Sequence, residues 1–266
     1  MAQPRGVDWD AQRYHRVAQP HAAWGASVLD RLALRGDEVV MDAGCGSGKV
    51  TGQLLARLPR GQVIGVDLSP AMLGEARSTL AEFGPERLKL VESSLLELGR
   101  VVQPSTVDAV FSTATFHWID DHARLFGQLR LVMRPGARLV SQFGGGDNLA
   151  GFMAATDAVS AQQPYREHLA GKPLWRFYYS AEQTFERLHT ARFAHIEAWL
   201  EPSPQTFADA HALAEFGRAV VMRNHLGALP RALQDQFVSD VVEAIRQRLG
   251  SYTLDYVRLN ADATAA

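Results

Sequence analysis

The sequence predicts an α/β protein, a doubly wound and mainly parallel sheet of seven strands with a helical cap. Three observations lead there. Between residues 38 and 143, apolar runs of strand length alternate with helical segments through short connections. Such alternation implies right-handed crossovers and a sheet covered on both faces. A glycine-rich turn, Gly44-Cys45-Gly46-Ser47-Gly48, follows the first of those runs and opens a helix. A helical stretch over 205–249 then separates the last two strands and is too long for an idle loop.

Taken in order, residues 8–34 read as two short helices broken near Pro20, whose ring lacks an N–H donor. Strands are expected at 38–43, 62–67, 87–91, 107–112 and 137–143, with helices near 47–58, 70–82 and 120–133. Gly144-Gly145-Gly146-Asp147 reads as a turn capped by Asp147. Helices follow at 148–162 and 181–190, separated by Leu174-Trp175-Arg176-Phe177-Tyr178-Tyr179, a pocket wall or a packed loop. Residues 193–201 and 252–260 supply the last strands, and the 205–249 insertion carries its own turn at Gly227 to Pro230. The expected divisions are 1–37, 38–146, 147–204, 205–249 and 250–266.

Composition narrows the function. Apolar residues make up 47% of the chain, enough for a real core. A net charge of −2 provides no basic field for nucleic acid or an anionic membrane. Cys45 is the single cysteine, so no disulfide can form within the chain and no Cys-rich metal site is expected. Asp8 and Asp10 stand where a leader would be apolar, and no run reaches membrane-span length. The expectation is a cytoplasmic protein, monomer or homodimer, acting on a small molecule.

The glycine turn decides the ligand class. Glycine reaches positive φ freely and lets a ligand approach the backbone, and the following helix points its N-terminal amides at the strand ends. A dinucleotide fingerprint needs its third glycine three residues after the second. Lys49 holds that place, while Asp42 sets a negative charge against a pyrophosphate. An ammonium-bearing ligand suits that carboxylate better, and S-adenosylmethionine carries an ammonium and no phosphate.

Asp42 to Gly48 resembles the first motif of class I S-adenosylmethionine-dependent methyltransferases, a Rossmann-like family. Val63 to Leu73 resembles their second motif, and Val107 to Trp118 and Arg134-Pro135-Gly136 are similar to later ones. Together they resemble the small-molecule branch around trans-aconitate methyltransferase, whose members O-methylate carboxylates. The resemblance covers roughly residues 10 to 145 and the last strand. It implies cofactor contacts from Asp42, Gly44, Cys45, Gly46, Gly48, Asp67, Leu68, Met72, Ser93, Ser94, Leu95, Thr113 and Ala114. Asp67 ends the second strand, where an acid accepts both ribose hydroxyls. Ser94 stands where the family has an acid for the adenine amino group; Ser93 and Ser94 equally suit a helix cap.

Methyl transfer from a sulfonium needs alignment more than catalytic groups. His117, after the fourth strand, is the candidate at the reacting atoms, either as a base or as an orienting donor. A carboxylate nucleophile needs no base. Acceptor contacts are expected from Tyr14, Gln19, Trp24, His117, Trp118, Trp175, Tyr178, Arg223 and His225. Tyr14 and Trp24 equally suit packing on the sheet, and Arg223 and His225 a helix end. The alternatives are a methyltransferase of phenols, hydroxyls or amines, and a non-catalytic cofactor-binding protein; a dehydrogenase is a distant third.

Overall fold

The computed structural model describes residues 19–266. By compactness, its described residues fall into two units: 19–146 with 177–201 and 258–266, and 147–176 with 202–257. Neither follows the sequential divisions expected from the sequence, because the chain leaves the sheet after β5 and returns to it twice.

The first unit is built on a seven-stranded sheet in the order β3-β2-β1-β4-β5-β9-β6. Its strands are β1 (Val39–Ala43), β2 (Gln62–Asp67), β3 (Leu88–Glu92), β4 (Val107–Thr113), β5 (Met133–Gly144), β6 (Phe193–Pro202) and β9 (Val257–Ala265). β1 to β5 pair in parallel, and β9 runs antiparallel to β5. β1 lies between β2 and β4, so the order reverses there and opens the crevice where such sheets bind ligands. The helices are α1 (Gln19–Arg31), α2 (Lys49–Ala56), α3 (Pro70–Thr79), α4 (His122–Val132) and α7 (Ala181–Thr190).

Two cores cover the sheet. Met41, Val110, Leu139, Phe143 and Leu259 meet Leu125, Phe126 and Leu129 of α4 on one face. Val40, Val63, Phe111 and Val140 meet Leu29, Leu32, Leu54 and Leu55 from α1 and α2 on the other. Each fully buried Leu or Phe contributes about 1.5–3 kcal/mol of transfer free energy, so both faces are strongly held. Ser69 caps α3 by accepting from the Met72 N–H, and Pro70 follows it at the start of the helix.

The second unit holds α5 (Ala150–Ser160), α6 (Arg166–Leu169), β7 (Gln205–Thr206), α8 (Ala210–Phe216), a π-turn (Gly217–Val221), α9 (Arg223–Ala228), α10 (Arg231–Leu249) and β8 (Thr253–Leu254). α10 packs along α5, burying Phe237, Val238, Val241 and Ile245.

Three expectations need correction. The last strand was expected at 252–260, but that stretch is divided: β8 pairs with β7, and β9 continues through the alanine-rich end to Ala265. Ala261, Ala263 and Ala265 are buried there, because small side chains let the sheet face pack closely. The turn at 144–147 is not capped by the Asp147 side chain. α5 follows Leu149 at φ 61 with no side-chain cap, and Asp147 offers only its carbonyl, to Ala150. Of the two helices expected at the N-terminus, the first falls outside the described residues; the other runs from Gln19, with Pro20 not breaking it but in its first turn, where a missing N–H costs nothing.

Candidate active site

At the end of β1, the Gly44 and Cys45 N–H groups both donate to the Val66 carbonyl, at 2.8 and 3.1 Å. These bonds carry the β1–β2 pairing into the loop. Gly44, Gly46 and Gly48 all adopt positive φ, at 89°, 52° and 83°. A Cβ on Gly44 would lie 2.2 Å from Thr115 Oγ1, so the turn after β4 approaches the loop too closely for any side chain. A Cβ on Gly46 would meet nothing within 4 Å. The loop is therefore closed behind and open in front.

Asp67 joins this loop to the next βα unit. Its Oδ2 accepts from the Gly46 N–H at 2.9 Å and its Oδ1 from the Ser69 N–H at 2.8 Å. These contacts orient the carboxylate at the end of β2, between the glycine loop and the start of α3. Leu68 beside it is 52% exposed, a large apolar group at the ligand end of the sheet, while Met72 is buried on α3. Ser94 caps the 3-10 turn Leu95–Arg100 by accepting from Leu96, and Ser93 donates to the Ser94 carbonyl. The capping reading thus describes Ser94 Oγ as an acceptor, and Leu95 is buried behind it.

Asp42 is buried and accepts from Thr51 Oγ1 at 2.7 Å. Burial pushes its carboxyl up to about 7; the Thr51 bond opposes this and the Asp67 charge adds to it. Burial likewise pushes the Cys45 thiol well above its ordinary value, helped by Asp42 and Asp67, so Cys45 is a packed side chain and no nucleophile.

β4 ends at Thr113, and Ala114 turns the chain at φ 55, its N–H donating to Gln142 O at 2.8 Å. A non-glycine residue in this conformation carries strain that surrounding structure must hold. Thr115 provides part of that hold by donating to Thr113 O and Gly44 O. His117 follows in the turn Phe116–Trp118, buried, with its Nδ1 accepting from the Gly144 N–H at 3.2 Å. An accepting Nδ1 assigns the ring proton to Nε2. The rings of Trp118 and Tyr178 lie 5.6 and 6.1 Å from His117. Phe177 N–H also bonds the His117 carbonyl, which ties the aromatic connection to this turn.

Other expected acceptor residues are placed differently. Trp175 belongs to the second unit, with Nε1 donating to Asp157 and its ring 4.6 Å from His225. His225 is 1% exposed between Trp175 and Phe237, and burial lowers its pKa to about 4, with the Arg176 charge adding. It is a neutral core histidine, and the expectation of a cationic carboxylate donor is corrected. Arg223 is the first residue of α9, the wrong end for a cation to meet a helix dipole. Tyr14 lies outside the described residues, as do the side chains of Gln19 and Trp24. Thr51, Thr115 and Gly144 were not singled out from the sequence. Thr51 alone carried a signal, a hydroxyl in the first turn of the helix that the glycine loop joins to Asp42.

The reversal of strand order, the open positive-φ glycine loop and the acid ending β2 together form the ligand crevice of a Rossmann-like sheet. Residues 40–136 match the methyltransferase domain family. The chain is 27% identical over 248 residues to a trans-aconitate 2-methyltransferase of Acidovorax sp. (strain JS42), covering 92% of this chain and 91% of that one. In structure it is similar to a Haemonchus contortus phosphoethanolamine N-methyltransferase solved with S-adenosylhomocysteine, at a TM-score of 0.62 and 18% identity. That alignment covers 96% of this chain and spans only 56% of the longer one. It is also similar to the Bacillus YcgJ protein, at a TM-score of 0.64 and 14% identity, covering 92% and 98%. Residues 40–136 thus carry a methyltransferase domain, in a chain similar along most of its length to trans-aconitate 2-methyltransferases, and its cofactor is S-adenosylmethionine. Among the described residues no helix is long and apolar enough to cross a membrane.

Proposed function

We propose that this enzyme methylates a carboxylate oxygen of a small organic acid. The observation that carries the proposal is the bond from Gly144 N–H to His117 Nδ1. It makes Nε2 a donor, and protonating Nδ1 would set two N–H groups against each other. Such a histidine orients an acceptor that is already ionised and is poorly suited to removing a proton. Carboxylates are ionised at neutral pH; phenols and alcohols are not. The name of the Acidovorax relative supports the same acceptor class.

In this reading the cofactor residues divide the labour. Asp67 receives the ribose hydroxyls, and Gly44, Cys45, Gly46 and Gly48 admit the cofactor close to the backbone. Leu68, Met72, Ser93, Ser94 and Leu95 take the adenine end, with Thr113 and Ala114 toward the methionine end. Asp42 supplies the negative charge that complements the ammonium. When bound, S-adenosylmethionine supplies an electrophilic methyl group on a sulfonium. The acceptor's carboxylate oxygen forms the new C–O bond while the C–S bond breaks and its electron pair returns to sulfur. His117 orients that oxygen, and Trp118 and Tyr178 keep water away from it. The enzyme works on a free small molecule in the cytoplasm, as a monomer or homodimer, without nucleic acid or membrane.

The test is an acceptor screen comparing organic acids, trans-aconitate among them, with their amides and alcohols. Release of S-adenosylhomocysteine with acids is expected. Turnover of phenols or amines with none of acids would overturn the proposal. The 205–249 segment is assigned to acceptor selection, and Arg223→Ala in the same screen tests its part: unchanged acid turnover would remove Arg223 from the site.

A further inference from the structure

The turn that carries His117 is too short to fix the imidazole by its own bonds. Phe116–Trp118 is a single 3-10 turn, in which Trp118 N–H bonds Thr115 O at 2.9 Å and Ile119 N–H bonds Phe116 O at 3.0 Å. One such turn makes few bonds for the dihedrals it orders. An orienting side chain has to be held to within about 0.5 Å. The remaining constraint comes from α4 and from residues 177–179.

His122, the first residue of α4, supplies one part. It is 1% exposed, and its Nε2 lies 2.9 Å from Phe116 O. A carbonyl only accepts, so Nε2 carries the proton. With Ile119 N–H, this bond engages both lone pairs of the Phe116 carbonyl. Burial lowers the pKa of the ring to about 4; the Phe116 bond opposes this and the Arg187 charge adds to it. The ring is therefore neutral at neutral pH and keeps one tautomer. Phe126 and Phe143 meet it edge to face, at 5.4 and 5.6 Å.

Tyr179 supplies the other part. Its hydroxyl donates to Asp120 O at 2.6 Å, just past the turn, and its carbonyl accepts from Gly146 N–H at 2.8 Å. Its ring stands 4.5 Å from the His122 ring, and the Arg187 guanidinium of α7 lies over it at 3.8 Å. Arg187 Nη1 is buried with no hydrogen-bond partner among the described residues, and the ring face offsets part of that desolvation. Two residues earlier, Phe177 N–H bonds the His117 carbonyl, and Tyr178 between them sets its ring 6.1 Å from the imidazole. This connection therefore grips the turn twice, at His117 by its backbone and at Asp120 by a side chain.

We propose that His122 and Tyr179 are positioning residues for methyl transfer, acting through the 116–120 turn to keep His117 Nε2 on the acceptor. This rests on the orienting role given to His117 above. Buried rings also stabilise a fold, so what decides the matter is whether their effect passes through His117.

The test is a double-mutant cycle in the whole enzyme, with trans-aconitate as acceptor. Tyr179→Phe removes only the hydroxyl and should raise KM roughly threefold to tenfold, with little change in kcat or in S-adenosylhomocysteine affinity. His122→Phe should do the same, and His122→Gln, whose amide can still donate to Phe116 O, should recover most of the loss. In the His117→Ala background, neither Tyr179→Phe nor His122→Phe should raise KM further. Equal losses with and without His117, or an equal loss of S-adenosylhomocysteine affinity, would overturn the proposal. A second measurement needs no acceptor: the NMR shifts of the two His117 ring nitrogens, assigned by their absence in His117→Ala. The Gly144 bond keeps these shifts apart, and Tyr179→Phe should draw them together as the ring samples both tautomers. Unchanged shifts would refute the assignment. If His122→Phe does not fold, His122→Gln and Tyr179→Phe give the same comparisons. Should wild type methylate no acid at all, the carboxylate reading fails, and the shifts still decide whether Tyr179 holds His117.

Discussion

At the scale of single residues, two side chains set the chemistry through their protonation. His117 has its tautomer chosen by a backbone donor, so it is expected to orient and not to abstract. His117→Ala should mainly raise the acceptor's KM, with the pH–rate profile keeping its shape. A loss of a hundredfold or more in kcat, with a limb abolished, would instead mark a base. Asp42, with a carboxyl pushed up to about 7, is largely protonated at pH 6 in the free enzyme. A bound ammonium favours its ionised form, so cofactor binding should release a proton below pH 7. Affinity should then rise by up to about tenfold per pH unit toward pH 7 and level off above it. Calorimetry in two buffers of different ionisation enthalpy measures that proton, and Asp42→Asn should remove both the release and the slope.

At the scale of elements, the glycine loop separates stability from binding. Gly44→Ala forces a Cβ into Thr115 in a conformation that already disfavours it, so it should lower Tm sharply. Gly46→Ala meets no protein atom and pays only the left-handed strain, about 1–2 kcal/mol. Its methyl group occupies the space where the cofactor approaches, so it should stay folded and lose affinity by tenfold or more. Equal Tm losses with equal binding losses would show that the loop's openness has no functional meaning. The loop was legible in the sequence because three alternating glycines after an apolar run allow few backbone paths. Strands β1, β2, β4 and β5 were legible because buried parallel strands read as apolar runs, and β6 because its residues alternate. The alanine-rich end of β9 was not, since alanine suits a helix, a strand or a tail equally and only its partner β5 decides. The triple glycine was misread for a related reason. Gly144 completes β5 and supplies a donor to His117, a contact across 27 residues that no local pattern encodes. His225 was assigned a charge because sequence shows a cation-capable residue and hides the aromatic rings that enclose it.

At the scale of the whole molecule, buried titrating groups predict how stability responds to acid. His122, in the sheet unit, and His225, in the helical unit, are each 1% exposed, and burial lowers each to about 4. His122 donates from Nε2 to Phe116 O amid Phe126, Phe143 and Tyr179, while its Nδ1 has no hydrogen-bond partner among the described residues. Unfolded histidine titrates near 6.5. Between pH 6.5 and 4 the unfolded chain therefore binds more protons at both sites, and stability falls as pH falls. The steepest contribution is about 1.4 kcal/mol per pH unit for each ring. Asp42 acts the other way, because its folded value near 7 exceeds its unfolded one: the folded chain binds the extra proton, and stability rises as pH falls from 7 toward 4. Two rings outweigh one carboxyl, so the three groups together should remove about 1.4 kcal/mol per pH unit between roughly 6 and 4.5. Denaturant titrations across that range measure the slope. His225→Phe should flatten it by about one histidine's share, and Asp42→Asn should steepen it by a similar amount. If neither variant changes the slope, the protons that control acid unfolding are bound elsewhere, and both rings are then neutral packing groups with no part in it.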